Sequence, residues 1–250
     1  MSEPLLRTDS VTKRFGKLTA VSDVSLSIPE GGISSIIGPN GAGKTTLFNL
    51  FTGKHAPTEG SIEFRGDPID GLEPHEVVAR GIVRSFQITN FFAELSALEN
   101  VRLATQADRT GFAPDDFLAH HASLSEATDE AEAVLERIGL LDVADRTAAN
   151  LAYGERRHLE IGIALATDPD LLLMDEPTAG MGPEQTDATV SLIENIAEDA
   201  TVVLIEHDME IVMNVSERIA VMNSGELIAR GTPEEISRNE AVQRAYLGGE

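Results

Sequence analysis

The chain carries one uninterrupted phosphate-loop motif near its N-terminus. The eight residues Gly38-Pro39-Asn40-Gly41-Ala42-Gly43-Lys44-Thr45 fit the pattern G-x-x-x-x-G-K-[ST]. In such a loop the glycines let backbone N–H groups turn towards phosphate oxygens, the lysine adds positive charge, and the threonine hydroxyl can ligate Mg²⁺. An apolar run over 33–37 precedes the motif, and a helical stretch follows it and points its positive end at the same anion. The motif therefore predicts a nucleotide site.

Two later apolar runs end in side chains that can take part in phosphate chemistry. The run 171–174 is followed by Asp175 and Glu176, and the run 202–205 by Glu206 and His207. Continuous apolar runs are typical of buried parallel strands, and ligands bind at the carboxyl ends of such strands. We expect Asp175 to hold Mg²⁺, directly or through water, and Glu176 to orient or deprotonate the attacking water. We expect His207 to contact the γ-phosphate.

Each of these polar residues has a simpler explanation when it is considered alone. An isolated Asp-Glu pair is usually a solvated strand end, a lone histidine there is usually structural, and a glutamine such as Gln87 in a loop is normally just solvated. The phosphate loop upstream favours the catalytic interpretation, because Asp175, Glu176 and His207 each follow an apolar strand that belongs beside that loop.

Hydrophobic periodicity predicts an α/β fold. The segment from Leu5 to about Gly31 alternates apolar and polar residues and, with 61–64, predicts an antiparallel β layer. Apolar residues at helical spacing over 190–197 predict a crossover helix between the two later strands. This alternation indicates an α/β sheet, mainly parallel, with helices on both faces. Together with the phosphate loop, it leads us to expect a P-loop NTPase core.

The middle of the chain has few strand signals and predicts an inserted helical subdomain. Apolar positions over 133–138 predict an amphipathic helix that Gly139 can cap, and residues 108–123 predict a surface loop. Near the C-terminus, Thr232-Pro233-Glu234-Glu235 predicts a capped helix start. We expect one domain over 1–250, comprising the β layer and phosphate-loop core (1–92), the helical subdomain (93–164) and a C-terminal core (165–250).

The charge balance of the chain is strongly acidic. It has 42 acidic and 19 basic residues and a net charge of −23, spread along its length. Such a surface repels nucleic acid, which argues against non-specific DNA or RNA binding. A salt-rich cytoplasm would screen the self-repulsion, so the charge predicts a halophilic origin, with an ordinary acidic protein as the alternative. Disulfides are excluded because cysteine is absent, and neither a membrane span nor a signal peptide is expected.

The order of these pieces resembles the ATP-binding subunit of ABC transporters over nearly the whole chain. The phosphate loop corresponds to Walker A, and 171–176 to Walker B with the catalytic glutamate. In the same resemblance, Gln87 matches the Q-loop, His207 the switch histidine and Phe15 the aromatic residue that stacks on adenine. It implies ATP and Mg²⁺ as cofactors. The implied nucleotide-binding residues are Phe15, Gly38, Pro39, Asn40, Gly41, Ala42, Gly43, Lys44, Thr45 and Thr46, the metal-binding residues are Thr45, Gln87 and Asp175, and the catalytic residues are Glu176, His207 and Gln87.

The family's signature motif, LSGGQ, is altered in this chain. Leu151-Ala152-Tyr153-Gly154-Glu155 stands where the signature is expected, with alanine, tyrosine and glutamate in place of serine, glycine and glutamine. In the following D-loop, Gly182 stands where aspartate is common. Losing one hydroxyl contact costs on the order of 1 kcal/mol, which is too little to abolish function. The Leu-Ala-Tyr-Gly form resembles the ATPase subunits of branched-chain amino-acid uptake systems.

The resemblance implies a head-to-tail dimer, in which each ATP lies between one subunit's phosphate loop and the partner's signature. The second subunit is a copy or, as the resemblance favours, a related chain. Two membrane permeases and a solute-binding protein complete the implied importer, with this chain at the cytoplasmic face of the membrane. Urea, short amides and other amino acids remain rival substrates. We expect the apolar residues Phe91 and Phe92 to help receive a permease helix, with a place in the subdomain core as the alternative.

Two other functions fit the sequence less well than a transport motor does. A non-transport ATPase of the same superfamily, for repair, translation or cluster assembly, is disfavoured because the chain has one nucleotide module and no long heptad segment. A structural partner that binds ATP without turnover is disfavoured because Glu176 and His207 are both present.

Overall fold

The computed structural model describes residues 3–85, 91–107 and 117–247, and describes their side chains except at 107, 117–124 and 247. The strands of these ranges are β1 (Leu6–Phe15), β2 (Leu18–Val24), β3 (Ser27–Ile28), β4 (Ile33–Ile37), β5 (Glu59–Phe64), β6 (Asp67–Pro68), β7 (Ile82–Ser85), β8 (Leu171–Asp175), β9 (Thr201–Ile205), β10 (Arg218–Asn223) and β11 (Glu226–Gly231). The α-helices are α1 (Lys44–Phe51), α2 (Pro74–Val78), α3 (Ala97–Ala107), α4 (Phe117–Arg137), α5 (Tyr153–Leu165), α6 (Pro183–Ala197), α7 (Met209–Val215), α8 (Pro233–Ser237) and α9 (Glu240–Leu247).

The chain divides into two compact units. The first unit comprises Met1–Arg84, Asp170–Pro177 and Ile193–Glu250, and the second comprises Ser85–Pro169 and Thr178–Leu192. The first therefore contains nearly all of the strands, and the second contains α3, α4 and α5. No helix within the described ranges is both long enough and apolar enough to cross a membrane.

The first unit contains the antiparallel layer that the sequence predicts. Its strands run in the order β2-β1-β5-β6, with β3 pairing with β1. Leu6 of β1 pairs with Ile28 on one side and with Phe64 on the other, and all three side chains are buried. The alternation of apolar and polar residues in this segment thus reflects a sheet with one buried face.

The larger sheet of the first unit has the order β11-β10-β4-β9-β8-β7. Strands β10, β4, β9 and β8 are parallel to one another, and β11 joins as an antiparallel edge strand. Every residue of β4, β8 and β9 is buried, as continuous apolar runs predict for strands covered on both faces. The predicted α/β fold is confirmed. Leu47, Phe48 and Phe51 of α1 belong to the hydrophobic core of this unit.

Helices dominate the second unit. Helix α4 ends at Arg137 and is followed by Gly139, as predicted, and Leu135 and Ile138 are buried. The predicted loop over 108–123 is wrong where it can be compared, because α4 already begins at Phe117. The helix breakers of that stretch, Gly111 and Pro114, lie before this start. The remainder of the predicted loop, 108–116, lies outside the described residues.

Candidate active site

The carboxyl ends of three neighbouring parallel strands form a row at one edge of the larger sheet. Strand β9 lies between β4 and β8, and its last residue, Ile205, pairs with Ile36 on one side and Asp175 on the other. The phosphate loop follows β4, Glu176 follows β8, and His207 comes two residues after the end of β9. The topology therefore brings together three segments that are far apart in the sequence.

The path of the phosphate loop requires glycine at two positions. Gly38 has φ of 152°, and a Cβ atom there would lie 2.1 Å from the carbonyl oxygen of Met222. Gly43 has φ of 100°, and a Cβ atom there would lie 2.4 Å from the carbonyl oxygen of Ala20. Neighbouring backbone thus approaches the loop too closely for any larger residue, which explains both glycines without reference to a ligand.

Lys44 is the first residue of α1, and its side chain reaches back to the start of the phosphate loop. Its Nζ donates hydrogen bonds to the carbonyl oxygens of Gly38, at 2.7 Å, and Pro39, at 3.2 Å, and the residue is 6% exposed. Burial lowers the pKa of Lys44, and the negative charges of Glu176 and Asp175 oppose that shift. The ammonium and both carboxylates therefore lie close enough to interact electrostatically.

Asp175, the last residue of β8, is buried against an arginine to which the sequence analysis assigned no role. Arg84 on β7 donates from Nη2 to Oδ2 of Asp175 over 2.5 Å and from Nη1 to Oδ1 of Asn49 over 2.8 Å. The guanidinium also lies 5.6 Å from the ring centre of Phe48. The ion pair spans 91 positions in the sequence. The only sequence signal for it is a basic residue three positions before Gln87.

Glu176 and His207 are hydrogen-bonded to each other. Nε2 of His207 lies 2.7 Å from Oε1 of Glu176, and both side chains are partly exposed. The backbone at Glu176 does not continue the extended conformation of β8, because its φ is 48°. The backbone turns there while the N–H of Glu176 still donates to the carbonyl oxygen of Ile205, at 2.8 Å. This turn points the carboxylate at the residue that follows the neighbouring strand.

The remaining predicted nucleotide and metal residues are placed as follows. Thr45 is exposed in the first turn of α1, and Thr46 follows it. Phe15 ends β1 and is 43% exposed, with its ring edge-on to His55 at 5.2 Å and Nζ of Lys13 5.2 Å from the ring centre. Gln87 lies outside the described residues.

The oxygen donors of the first unit fit a hard cation. The Thr45 hydroxyl and the Asp175 carboxylate are the kinds of ligand that Mg²⁺ prefers, and Mg²⁺ usually keeps several waters and binds substrate phosphates. In the part of the chain that the structure describes, no group of three or more histidine, aspartate or glutamate side chains could hold a metal ion. Thr45 and Asp175 would supply two oxygen ligands to such a cation.

The altered signature forms the N-terminus of α5 in the second unit. Ala152 is the N-cap and has no side-chain acceptor, and Oε2 of Glu155 instead accepts the N–H of Ala152 at 2.7 Å. Leu151 and Gly154 are buried, whereas Tyr153 is 56% exposed and donates its hydroxyl proton to the carbonyl oxygen of Ala179, at 2.9 Å. Glu155 thus stabilises the helix start, and the N–H groups of the first turn lack a capping side chain at residue 152.

The two phenylalanines after the predicted Q-loop, Phe91 and Phe92, differ in how much of each is buried. Phe91 is half-buried, and Phe92 is 64% exposed. The alternative that both residues belong to the subdomain core is therefore wrong for Phe92. Thr89 and Asn90, which precede the pair, lie outside the described residues.

Two family models match parts of the sequence. The model described as "ABC transporter" matches residues 21–179, which is more than half of the chain. The model described as "Branched-chain amino acid ATP-binding cassette transporter" matches residues 226–250.

Curated relatives match the chain from end to end. A protein of Salmonella typhimurium, "High-affinity branched-chain amino acid transport ATP-binding protein LivG", is 46% identical over 253 residues, with 99% of both chains covered. The corresponding BraF protein of Pseudomonas aeruginosa is 44% identical with the same coverage. A probable LivG protein of the archaeon Methanocaldococcus jannaschii is 36% identical, with 98% of this chain and 97% of its own length covered.

Solved structures of ATP-binding cassettes share the fold. One cassette of an ABC transporter, in its ADP conformation, superimposes with a TM-score of 0.85 at 32% identity and covers 100% of both chains. A dimeric cassette in a post-hydrolysis state, bound to ADP and inorganic phosphate, has a TM-score of 0.76 at 27% identity and covers 91% of this chain and 98% of its own.

Proposed function

The chain belongs to the ABC transporter family of ATP-binding cassettes, and from this premise we propose that it is the motor subunit of an importer for branched-chain or similar amino acids. The observation that carries the proposal is its 46% identity, over the full length of both chains, to an ATP-binding protein of high-affinity branched-chain amino-acid transport. Membership of the family makes the chain an ATPase. The substrate class rests on the relatives and on the Tyr153 form of the signature.

The phosphate loop binds the triphosphate of ATP in this proposal. Its backbone N–H groups donate to the phosphate oxygens, and α1 begins next to the anion with its positive end. Lys44 leaves its carbonyl partners, Gly38 and Pro39, to contact the β- and γ-phosphates. The exposed ring of Phe15 is available to stack on adenine.

Mg²⁺ is proposed to bind beside the phosphates, held by Thr45 and Asp175 and, as the family resemblance implies, by Gln87. When bound, the cation neutralises charge on the β- and γ-phosphate oxygens. The contribution of the protein is to hold the Asp175 carboxylate in position, and Arg84, which also donates to Asn49, does so.

Glu176 and His207 are proposed to act on the attacking water. The carboxylate of Glu176 accepts a proton from the water as its oxygen forms a bond to the γ-phosphorus, and the bond from that phosphorus to the β–γ bridging oxygen breaks. The electron pair of the broken bond leaves on ADP. His207, 2.7 Å from Glu176, would orient the carboxylate and is proposed to contact the γ-phosphate as well.

A second subunit is proposed to complete each site. The first turn of α5, with the exposed Tyr153 and the backbone of the buried Gly154, would face the γ-phosphate bound by the partner's phosphate loop. The dimeric cassette with ADP and phosphate supports this arrangement as a similar structure. The partner is a second copy of this chain or, as the family favours, a related subunit.

The proposed complex includes two membrane permeases and a solute-binding protein, with the chain at the cytoplasmic face of the membrane. Phe92 supports a docking role for the segment after the Q-loop, since an exposed aromatic side chain is a typical anchor at protein interfaces. The net charge of −23 supports a halophilic origin, in which molar salt screens repulsion between carboxylates.

Reconstituted transport tests this function. Vesicles carrying the complex, with ATP on the side of this chain, should take up leucine, isoleucine and valine in competition with one another. Uptake of a different solute in the panel, such as urea or a short amide, with none of these three would contradict the proposed substrate class. ATP turnover without uptake of any solute would favour the non-transport members of the family.

A further inference from the structure

A cavity of about 550 Å³ lies within the first unit, away from the phosphate loop. Its lining comes from Pro4, from the segment 26–29 around β3, and from β4, β10, β11 and the start of α8. The lining residues of β10, 218–220, come from the amino-terminal half of that strand, and those of β4, 34–36, come from its middle. The phosphate loop instead follows the carboxyl end of β4. The volume is within the range of small-molecule sites, about 300–1,000 Å³.

The strand register places two arginines on the face of the sheet that lines the cavity. Arg218 of β10 pairs with Ser34, and Ala220 pairs with both Ile36 of β4 and Arg230 of β11. Because alternate residues of a strand share a face, these five side chains belong to one face of the sheet. Arg218 and Arg230 are therefore diagonal neighbours, at a separation of about 7–8 Å.

Neither guanidinium has a hydrogen-bond or ion-pair partner among the residues that the structure describes, and both are exposed. Two neighbouring positive charges repel each other, and an anion bound between them would attract both and so offset that repulsion. Arginine pairs bidentately with a carboxylate, so the two side chains are suited to such a ligand.

A single carboxylate at the same cavity is held in place by its own backbone. Oε2 of Glu235 accepts the N–H of Thr232 at 2.8 Å, in the capping box that begins α8. The side chain lies over Gly231, since a Cβ atom on that glycine would be 2.5 Å from Oε2. Glu235, five residues after Arg230 in the sequence, thus presents a carboxylate in a fixed position at the cavity. Its other oxygen, Oε1, is available to accept a hydrogen bond from an ammonium group.

The remaining wall of the cavity combines serines (Ser27, Ser34 and Ser35) with aliphatic side chains. Leu26, Ile28, Ile36 and Ala220 line it and are buried. A ligand that used both the arginines and Glu235 would therefore carry a carboxylate, an ammonium group and an apolar part.

We propose that this cavity binds an aliphatic α-amino acid. Arg218 and Arg230 hold the α-carboxylate, Glu235 holds the α-ammonium group, and the side chain of the ligand packs on the aliphatic wall. If the proposed function is right, this ligand class is also the imported one, and the cavity allows the accumulated solute to regulate the motor. The segment matched by the branched-chain amino-acid family model, 226–250, contributes β11 and α8 to the lining.

Direct binding to the purified full chain tests the site. Isothermal titration with L-leucine should show one saturable site, and Arg218→Gln and Arg230→Gln should each weaken its affinity about tenfold or more, as expected for a lost charge-assisted hydrogen bond. Arg80→Gln, which removes an exposed arginine that does not line the cavity, should bind like the unaltered chain. All variants should be compared at a salt concentration where their melting temperatures agree. Absent binding, or equal binding by all variants, would overturn the proposal.

Ligands that lack one end of the amino acid test the assignment of the charges. 4-Methylpentanoate keeps the carboxylate and 3-methylbutylamine keeps the amine, and each should bind at least about tenfold more weakly than L-leucine. If Glu235 holds the ammonium group, Glu235→Gln should weaken the binding of leucine but not the binding of 4-methylpentanoate. Equal affinity for leucine and either analogue would contradict the two-ended site.

Regulation is tested in the assembled transporter. Leucine added on the side of this chain should lower ATP turnover of the complex at least about twofold, and Arg230→Gln should abolish that inhibition without changing turnover in its absence. Inhibition that persists in Arg230→Gln would overturn regulation through this cavity. The uptake assay separates the two proposals: uptake of leucine without binding to the isolated chain refutes only the cavity site, and binding without uptake refutes only the proposed transport substrate.

Discussion

Arg84 and Asp175 form an ion pair in which both partners are removed from solvent. The guanidinium donates to the carboxylate over 2.5 Å, and the side chains are 13% and 2% exposed. An isolated charge at such a position is strongly disfavoured, so each partner depends on the other. The pair also connects β7 to β8 at the point where the predicted metal ligand is needed. Arg84 is thus a positioning residue for Asp175.

Removing the guanidinium should therefore destabilise the chain without any ligand. Arg84→Met is expected to lower the free energy of unfolding by about 3–5 kcal/mol, since it removes the guanidinium partner of a buried carboxylate. Arg84→Met combined with Asp175→Asn should recover part of this loss, because no charge remains. Urea denaturation without nucleotide or metal measures both values, with Arg80→Met as the control for losing an exposed arginine. A loss within about 0.5 kcal/mol for Arg84→Met would show that the pair does not hold the carboxylate.

The hydrogen bond from Tyr153 to Ala179 should matter only in the assembled motor. It joins the altered signature to the segment before the D-loop, so Tyr153→Phe should loosen that connection while leaving the phosphate loop of the same chain intact. We expect unchanged ATP affinity in the isolated chain and an ATP turnover in the complex that is several-fold lower, since a neutral hydrogen bond contributes about 1 kcal/mol. Equal turnover in the two complexes would remove the hydroxyl from this role, whereas weaker ATP binding by the isolated chain would point to a different one.

His158 should make the chain less stable in mild acid. Burial lowers the pKa of His158, whose Nε2 lies 3.0 Å from the Thr189 hydroxyl and whose Nδ1 lies 3.2 Å from the carbonyl oxygen of Ile138. The unfolded chain takes up a proton near pH 6.5, before the folded chain does, so the free energy of unfolding falls as the pH drops below that value.

His158→Gln should remove this part of the pH dependence. The measurement is urea denaturation at several values between about pH 7.5 and 5, with His75→Gln as the matched change at an exposed histidine. The slope of stability against pH should become shallower in His158→Gln and stay unchanged in His75→Gln. Identical slopes in all three proteins would mean that His158 does not contribute.

The acidic surface predicts a stability that rises with salt. At a net charge of −23, repulsion between carboxylates destabilises the compact state, and the screening length shortens from about 10 Å at 0.1 M salt to about 3 Å at 1 M. Thermal melting should therefore occur at a higher temperature in molar KCl than at low KCl. Equal or greater stability at low salt would contradict the halophilic origin.

The fold could be predicted from the sequence wherever a segment is buried in a regular pattern. The continuous apolar runs of β8 and β9 and the alternation of β1 and β2 reflect how many faces of each strand are covered. The capping box at Thr232 was equally clear, because it depends on residues only three positions apart. The start of α4 was missed because Gly111 and Pro114 favour a loop, although aspartate, which precedes Phe117, is common at helix N-caps.

The candidate site was predictable only in part, because some of its contacts are long-range. The phosphate loop, Asp175, Glu176 and His207 follow strands whose ends a parallel sheet must bring to one edge. The partner of Asp175 was not predictable, since Arg84 lies on a different strand and a propensity pattern contains no information on side-chain pairing. The turn at Glu176 was missed for a similar reason, because its φ of 48° is stabilised by a hydrogen bond to β9.

The central claim, that Glu176 promotes attack by water in an ATP-driven motor, is tested most directly by Glu176→Gln. Amide substitution keeps the shape of the side chain and removes its ability to take a proton, so ATP should still bind with ordinary affinity and hold the dimer together. Turnover should fall at least ~10²-fold, in the range of a lost general base. Glu210→Gln, at an exposed carboxylate in the first turn of α7, should turn over normally. Normal turnover by Glu176→Gln in a single-turnover experiment would contradict the account.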